Sequence, residues 1–163
     1  MSGAPYVAIV GPGEASEAEC AHAFEVGERL ARAGAVVISG GLGGVMEAAC
    51  RGARGAGGLT VGLLPGADRA AGNPHLSVAI ATGLGELRNG LLVRAADAIV
   101  GIGGSWGTLS ELALARRTGV PVVLLGSWRV SGPAGADLGE RVRSPRRAVE
   151  RALALGAGRD RTP

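Results

Sequence analysis

Residues 97 to 111 read Asp-Ala-Ile-Val-Gly-Ile-Gly-Gly-Ser-Trp-Gly-Thr-Leu-Ser-Glu. Residues 97–102 form a short, partly β-branched apolar run, Gly103, Gly104 and Gly107 punctuate the chain beyond it, and Leu109, Leu112 and Ala113 recur at helical spacing. The pattern predicts a strand, a glycine turn and a helix in succession. Such a turn gathers backbone N–H groups and the positive end of a helix at one place, and glycine lets an anion approach where a Cβ would collide. The guest it fits is a phosphate.

A second copy of the device lies upstream. Residues 35–39 read as a buried strand, and Gly40-Gly41-Leu42-Gly43-Gly44 opens a helix with Met46, Ala49, Cys50 and Ala53 on one face. Two such turns in one chain are more specific than either alone. Neither contains the G-x-x-x-x-G-K-[ST] phosphate loop, and no G-x-G-x-x-G dinucleotide fingerprint comes after the first strand.

The rest of the chain supplies the frame. Strands are predicted at 6–10, 60–64, 77–81 and 120–125, the first closed by Gly11-Pro12-Gly13 and the last taken as the final strand. A helix over 16–33 buries Cys20, Ala23, Phe24, Gly27, Leu30 and Ala31 and stops at Gly34. A helix over 85–96 carries Leu87, Leu91, Leu92 and Ala95 inward, with Arg88 near its start on a different face. The helix of the 97–111 segment runs to about Thr118. Residues 67–75, with Asn73-Pro74, form a polar loop, and the stretch after Leu125 is loop until Ser144-Pro145 caps a last helix ended by Gly156. Nearly all-apolar strands alternating with helices predict an α/β fold: an open Rossmann-like parallel sheet with helices on both faces, one domain over 1–157 and a disordered basic tail over 158–163. In such sheets ligands bind beyond the carboxyl ends of the strands, where both glycine turns fall.

Composition narrows the chemistry. Hydrophobic residues make up 47% of the chain, which argues against disorder, and glycine, at 30 of 163 residues, is well above its usual share of about 7%. All seventeen basic residues are arginine. Without lysine there is neither a pyridoxal-phosphate Schiff base nor a Walker loop, so both classes are excluded. The net charge of +3 comes from the part after residue 126, where eight arginines face four acids. With one Phe, one Tyr and two Trp, that surplus lacks the interleaved aromatics of a nucleic-acid platform and reads as a solvated segment. Cys20 and Cys50 have no zinc spacing and read as buried reduced thiols, while His22 and His75 have no third ligand, so no metal and no resident cofactor are expected. No basic leader or long apolar run marks the N-terminus, and the expected compartment is the cytoplasm, with no membrane contact.

With these residues laid out, the chain resembles the LOG-like ("Lonely Guy") Rossmann proteins, long labelled lysine decarboxylases. Their G-G-G-x-x-G-x-M turn resembles Gly40-Gly41-Leu42-Gly43-Gly44-Val45-Met46. Their P-G-G-x-G-T-x-x-E loop resembles Gly103-Gly104-Ser105-Trp106-Gly107-Thr108-Leu109-Ser110-Glu111. Between them, Glu86-Leu87-Arg88-Asn89 stands in the place of an H-E-R-K run. The resemblance implies a nucleoside 5′-monophosphate phosphoribohydrolase that splits a cytokinin riboside monophosphate into base and ribose 5-phosphate. Gly103, Asn89 and Ser110 replace the family's proline, lysine and acid. Those departures are similar to a sister branch, the molybdenum-cofactor carrier proteins, and leave a non-catalytic carrier or sensor of a nucleotide or molybdopterin-type cofactor as the alternative.

The resemblance assigns roles residue by residue. Gly41, Gly43 and Gly44 with Met46 on one side, and Gly103, Gly104, Ser105, Gly107 and Thr108 on the other, would hold the phosphorylated ligand. Arg88 offers two parallel donors to a phosphate or a purine edge, or is a surface arginine. Glu111 either stabilises an oxocarbenium-like ribose and activates water, or bonds the loop amides as a structural carboxylate. Asn89 bonds a ribose hydroxyl or lies on the surface; Trp106 covers a base or packs on its own subunit or a neighbour; Glu47 caps its helix or touches ligand. A homodimer or higher homo-oligomer is implied, formed through helices beside the site, and the alanine-rich helix from 106 to 118 suits that contact.

Overall fold

The computed structural model describes residues 3–159. Among the described residues seven strands build one sheet: β1 (Tyr6–Val10), β2 (Val36–Ser39), β3 (Thr60–Leu64), β4 (Val78–Ala81), β5 (Ala98–Ile102), β6 (Val122–Leu125) and β7 (Glu140–Val142). Five helices accompany them: α1 (Glu17–Arg32), α2 (Val45–Gly55), α3 (Arg88–Ala95), α4 (Trp106–Arg117) and α5 (Pro145–Ala157). The strand order is β4-β3-β2-β1-β5-β6-β7, and every pairing is parallel. The α/β fold with helices on both faces is as expected.

Alternation along the strands makes two cores. Val7 and Ile9 of β1 point to one face, where α1, α2 and α5 supply Ala23, Val26, Leu30, Val45, Ala49 and Val149. Ala8 and Val10 point to the other, where α3 and α4 supply Leu92, Val93, Leu112 and Ala115. The strand order reverses between β1 and β5, which pair from Val7–Ala98 to Val10–Gly101. The crevice of a doubly wound sheet opens at that reversal, beyond the carboxyl ends.

Local signals set the helix starts. Ser16 caps α1 in a capping box with Glu19, Ser105 caps α4 by accepting from the Thr108 N–H, and Ser144 caps α5 with Pro145 next in the chain. α2 has no side-chain cap; its N-cap, Gly44, has φ 61°, a backbone that favours glycine.

Several expectations are corrected. The stretch after β6 is not all loop, because Glu140 to Val142 pair with β6 as a seventh strand. The helix expected over 85–96 begins as a 3-10 turn at Gly85–Leu87, and Leu87 and Leu91 are exposed while Arg88, Leu92 and Val93 are buried. β4 is not covered on both faces: it is an edge strand with Val78 and Ile80 exposed. On α4 the buried face is Thr108, Glu111, Leu112 and Ala115, and Ala113 lies outside. Of the basic tail, Gly158 caps α5 and the Arg159 guanidinium donates to the Ala96 carbonyl; residues 160–163 lie outside the described residues.

Candidate functional site

Three strand-to-helix turns meet at the reversal. The Val45 N–H, at the start of α2, donates to the Pro12 carbonyl at 3.1 Å, which sews the turn after β2 to Gly11-Pro12-Gly13 after β1. A Cβ at Gly11 would lie 2.5 Å from the Ile102 carbonyl oxygen, so the β1 turn also abuts the end of β5. The two glycine turns therefore share one rim, with the β1 turn between them. Gly11 and Gly13 join the site as residues for which the sequence offered only a turn signal.

A cavity of about 310 Å³ opens there, lined on its polar side by Arg88, Asn89, Ser105, Gly107, Thr108 and Glu111 and on its apolar side by Leu42, Met46 and Pro65. Gly41 and Gly44 shape the turn from behind, at φ 75° and 61°. A wider hollow of about 610 Å³ opens at the opposite rim, beside Tyr6, Asp97 and Arg159, and neither glycine turn reaches it.

The cavity's charged pair is Arg88 and Glu111. Both are nine-tenths buried, and Arg88 Nη1 stands 3.4 Å from Glu111 Oε1 while donating to Asn89 Oδ1 at 2.7 Å. A Cβ at Gly40 would sit 2.7 Å from Arg88 Nη2 and 2.8 Å from the Met46 sulfur, so the guanidinium bridges from the β2 turn to α4. Its Nε has no hydrogen-bond partner among the described residues. Burial lowers the Arg88 pKa from its usual value, with Glu111 opposing; arginine remains a cation at neutral pH. Burial pushes Glu111 up to about 7, with Arg88 pulling the other way.

Not every turn amide is open. Gly41 N–H donates to Ser39 Oγ at 3.1 Å and Thr108 N–H to Ser105 Oγ at 3.2 Å, and the Thr108 hydroxyl is tied to Ser105 Oγ at 3.0 Å. The N–H groups of Leu42, Gly43 and Gly44, and of Gly104, Ser105, Trp106 and Gly107, have no protein acceptor among the described residues. The donor rows are shorter than expected at Gly41 and Thr108, and otherwise open.

The other candidates fall around this centre. Asn89 Nδ2 reaches Ser110 Oγ at 3.5 Å. Glu47 stands 4.0 Å from His75 Nε2 at the surface. Trp106 is 78% exposed, with one face of its surroundings set by Trp128, whose ring lies 5.2 Å away, tilted by 38°. Gly103, at φ 64°, leaves room for the Glu19 carboxylate, which a Cβ would strike at 2.1 Å. His22 lies on α1, away from the cavity. Cys50 is buried and Cys20 half-buried, both free thiols. Among the described residues no three His, Cys, Asp or Glu side chains group as metal ligands, and no helix is long and apolar enough to cross a membrane.

Three residues outside the sequence motifs brace the turns. Asn73, buried in the loop after β3, donates its N–H to the Gly41 carbonyl at 2.8 Å and its Nδ2 to the Leu42 carbonyl at 3.1 Å. Ser127 Oγ donates to the Gly103 carbonyl at 2.6 Å and Trp128 Nε1 to the Ser105 carbonyl at 3.0 Å. In sequence these were only turn-rich loops; an Asn before Pro and a Trp among Gly and Ser were the faint signals.

The profile of the SLOG cluster4 family matches residues 4–152, nearly the whole chain. The chain belongs to the SLOG cluster4 family. An uncharacterised protein of Archaeoglobus fulgidus is 42% identical over 119 residues, spanning 73% of this chain and 78% of that one. The molybdenum cofactor binding protein of Rippkaea orientalis superposes with a TM-score of 0.88 at 33% identity, covering 93% of this chain and 97% of that chain. The molybdenum cofactor carrier protein of Chlamydomonas reinhardtii gives 0.83 at 32%, covering 94% and 99%. DNA processing protein A of Helicobacter pylori, at 18% identity and a TM-score of 0.69 over 92% of this chain and 80% of that one, shares the fold alone. Membership in the SLOG cluster4 family agrees with the LOG-like resemblance and with its carrier-like branch.

Proposed function

We propose that this protein binds and carries a phosphorylated heterocyclic ligand of the molybdopterin-cofactor or nucleotide type, its phosphate held between the two glycine turns. The observation that carries the reading is that both turns, each with N–H groups that no protein group among the described residues accepts from, reach one cavity, through Leu42 on one side and through Ser105 and Gly107 on the other. A helix end contributes only about 0.3 to 1 kcal/mol per charge, whereas micromolar affinity needs about 8 kcal/mol. Arg88 and burial of the ring against Leu42, Met46 and Pro65 supply the remainder. Asn89 and Glu86 are left to read the ring's polar edge. The likeness to two proteins named for binding or carrying the molybdenum cofactor, over more than nine-tenths of each chain, favours that cofactor as cargo. The exposed Leu87, Leu91 and Trp106 beside the cavity mouth are proposed as the contact of a homodimer.

One observation favours a second reading, hydrolysis of the N-glycosidic bond. A carboxyl group that titrates near pH 7 is matched to general acid–base work, and Glu111 is that group. The two readings separate in one experiment. The protein is incubated with the molybdenum cofactor and, separately, with adenosine and cytokinin riboside monophosphates, then chromatographed. The carrier reading expects retention of intact cofactor and no free base; release of base with turnover would replace it with the hydrolase.

A further inference from the structure

The two glycine turns share a feature that the sequence motifs do not contain: each has its carbonyl groups held from outside by a neighbouring loop. The Gly41 and Leu42 carbonyls accept from Asn73, and the Gly103 and Ser105 carbonyls from Ser127 and Trp128. The Ser105 carbonyl also accepts from Leu109 N–H within α4. A peptide unit is planar and trans, so the C=O of one residue and the N–H of the next point in opposite directions in one rigid plane. Fixing the Gly41, Leu42, Gly103 and Ser105 carbonyls therefore fixes the N–H groups of Leu42, Gly43, Gly104 and Trp106. These four N–H groups are among those with no protein acceptor in the described residues.

Resting on the phosphate-binding reading above, we propose that Asn73, Ser127 and Trp128 are positioning residues that pre-set the anion donors of the two turns. Glycine-rich turns are conformationally free, and a free turn must be ordered at the moment of binding. Donors already aimed at the incoming charge avoid that reorganisation. The clamps differ in depth: Asn73 is 9% exposed and also accepts from His75 N–H through Oδ1 at 3.1 Å, whereas Ser127 is half-buried and holds its turn through a single hydroxyl. Gly104 has the indole of Trp128 directly behind it, where a Cβ would meet Nε1 at 2.7 Å. The loops after β3 and β6 thus act on opposite ends of one anion site, although neither carries a residue of the glycine motifs.

The test uses ¹⁵N-labelled full-length protein titrated with inorganic pyrophosphate, tracking the Leu42, Gly43, Gly44, Gly104 and Trp106 amides. Wild-type protein should show saturable shifts at both turns; shifts at neither would overturn the phosphate reading and this inference together. In Ser127→Ala the dissociation constant should rise about three- to tenfold, with the Gly104 response reduced and those of Leu42 and Gly43 kept. Ser127→Thr, which retains the hydroxyl, should behave as wild type. Asn73→Ala should produce the mirror image, losing the Leu42 and Gly43 responses while keeping that of Gly104. Wild-type shifts with unchanged binding in Ser127→Ala, or an equal loss at all five amides, would overturn the inference while leaving the phosphate reading intact.

Discussion

At Glu111 burial and a neighbouring cation act on one carboxylate in opposite directions, and burial wins, placing its pKa at about 7. A folded-state pKa raised above the ordinary 4.5 favours the protonated form, so the stability linked to this group is full below pH 4.5 and is lost as pH rises through 7. The loss is on the order of 3 kcal/mol at 1.36 kcal/mol per pKa unit. Urea denaturation of wild-type protein should show that decline between pH 5 and 8, and Glu111→Gln should flatten it. Asp137 and Glu140, whose pKa values are lowered by their own hydrogen bonds, act below this window. Arg88→Met should destabilise by about 3 kcal/mol at pH 8, where Glu111 is left as an unpaired buried charge. At pH 5, with Glu111 protonated, the cost should be clearly smaller. The sequence named both residues but not their pairing. Arg88 shares a face with Leu92, four residues on, and four leucines and alanines outvoted one arginine. Its partners inside are Asn89, next in the chain, and the one opposite charge, Glu111, twenty-three residues away, which no local spacing points to.

At the scale of elements, the glycines divide by what surrounds them. Gly44 has φ 61°, and a Cβ there would stand 2.3 Å from the Pro12 carbonyl oxygen. Gly44→Ala should cost at least about 2 kcal/mol in urea denaturation. Gly43 has no positive φ, and its nearest neighbour, the Gly13 carbonyl, would lie at an ordinary 3.5 Å. Gly43→Ala should leave stability within about 0.5 kcal/mol of wild type yet lower phosphate-ligand affinity at least tenfold by calorimetry, because the methyl group takes space an anion approaches through. Strong patterning made most elements legible, including β1, β3 and α1 almost to the residue. β7 was not legible because Glu-Arg-Val is three residues with no alternation, recruited as an edge by pairing with β6. The bracing of the turns by Asn73, Ser127 and Trp128 was equally hidden, since donors to distant carbonyls leave no local spacing to read.

For the whole molecule, strand order does the positioning. Reversal between β1 and β5 brings three turns from separate parts of the chain to one rim; the part played by the turn after β1 is seen only in the fold, whereas the placing of both glycine turns at the carboxyl ends of the strands came from the alternation of strands and helices alone. What covers the outside of α3 and α4 did not. Leu87 at 79% and Trp106 at 78% exposure are large apolar groups in water, flanking the cavity mouth. Sedimentation at micromolar concentration should show a dimer or larger species, and Leu87→Glu combined with Leu91→Glu should yield monomers; a monomeric wild type would remove the self-association proposal. The claim on which the functional account rests is narrower: the glycine turns hold the ligand by its phosphate. Equilibrium binding of the molybdenum cofactor, compared with the same cofactor stripped of its phosphate, measures that contribution directly. Binding at least tenfold weaker without the phosphate is expected, and equal affinity for the two forms would overturn phosphate capture by the turns.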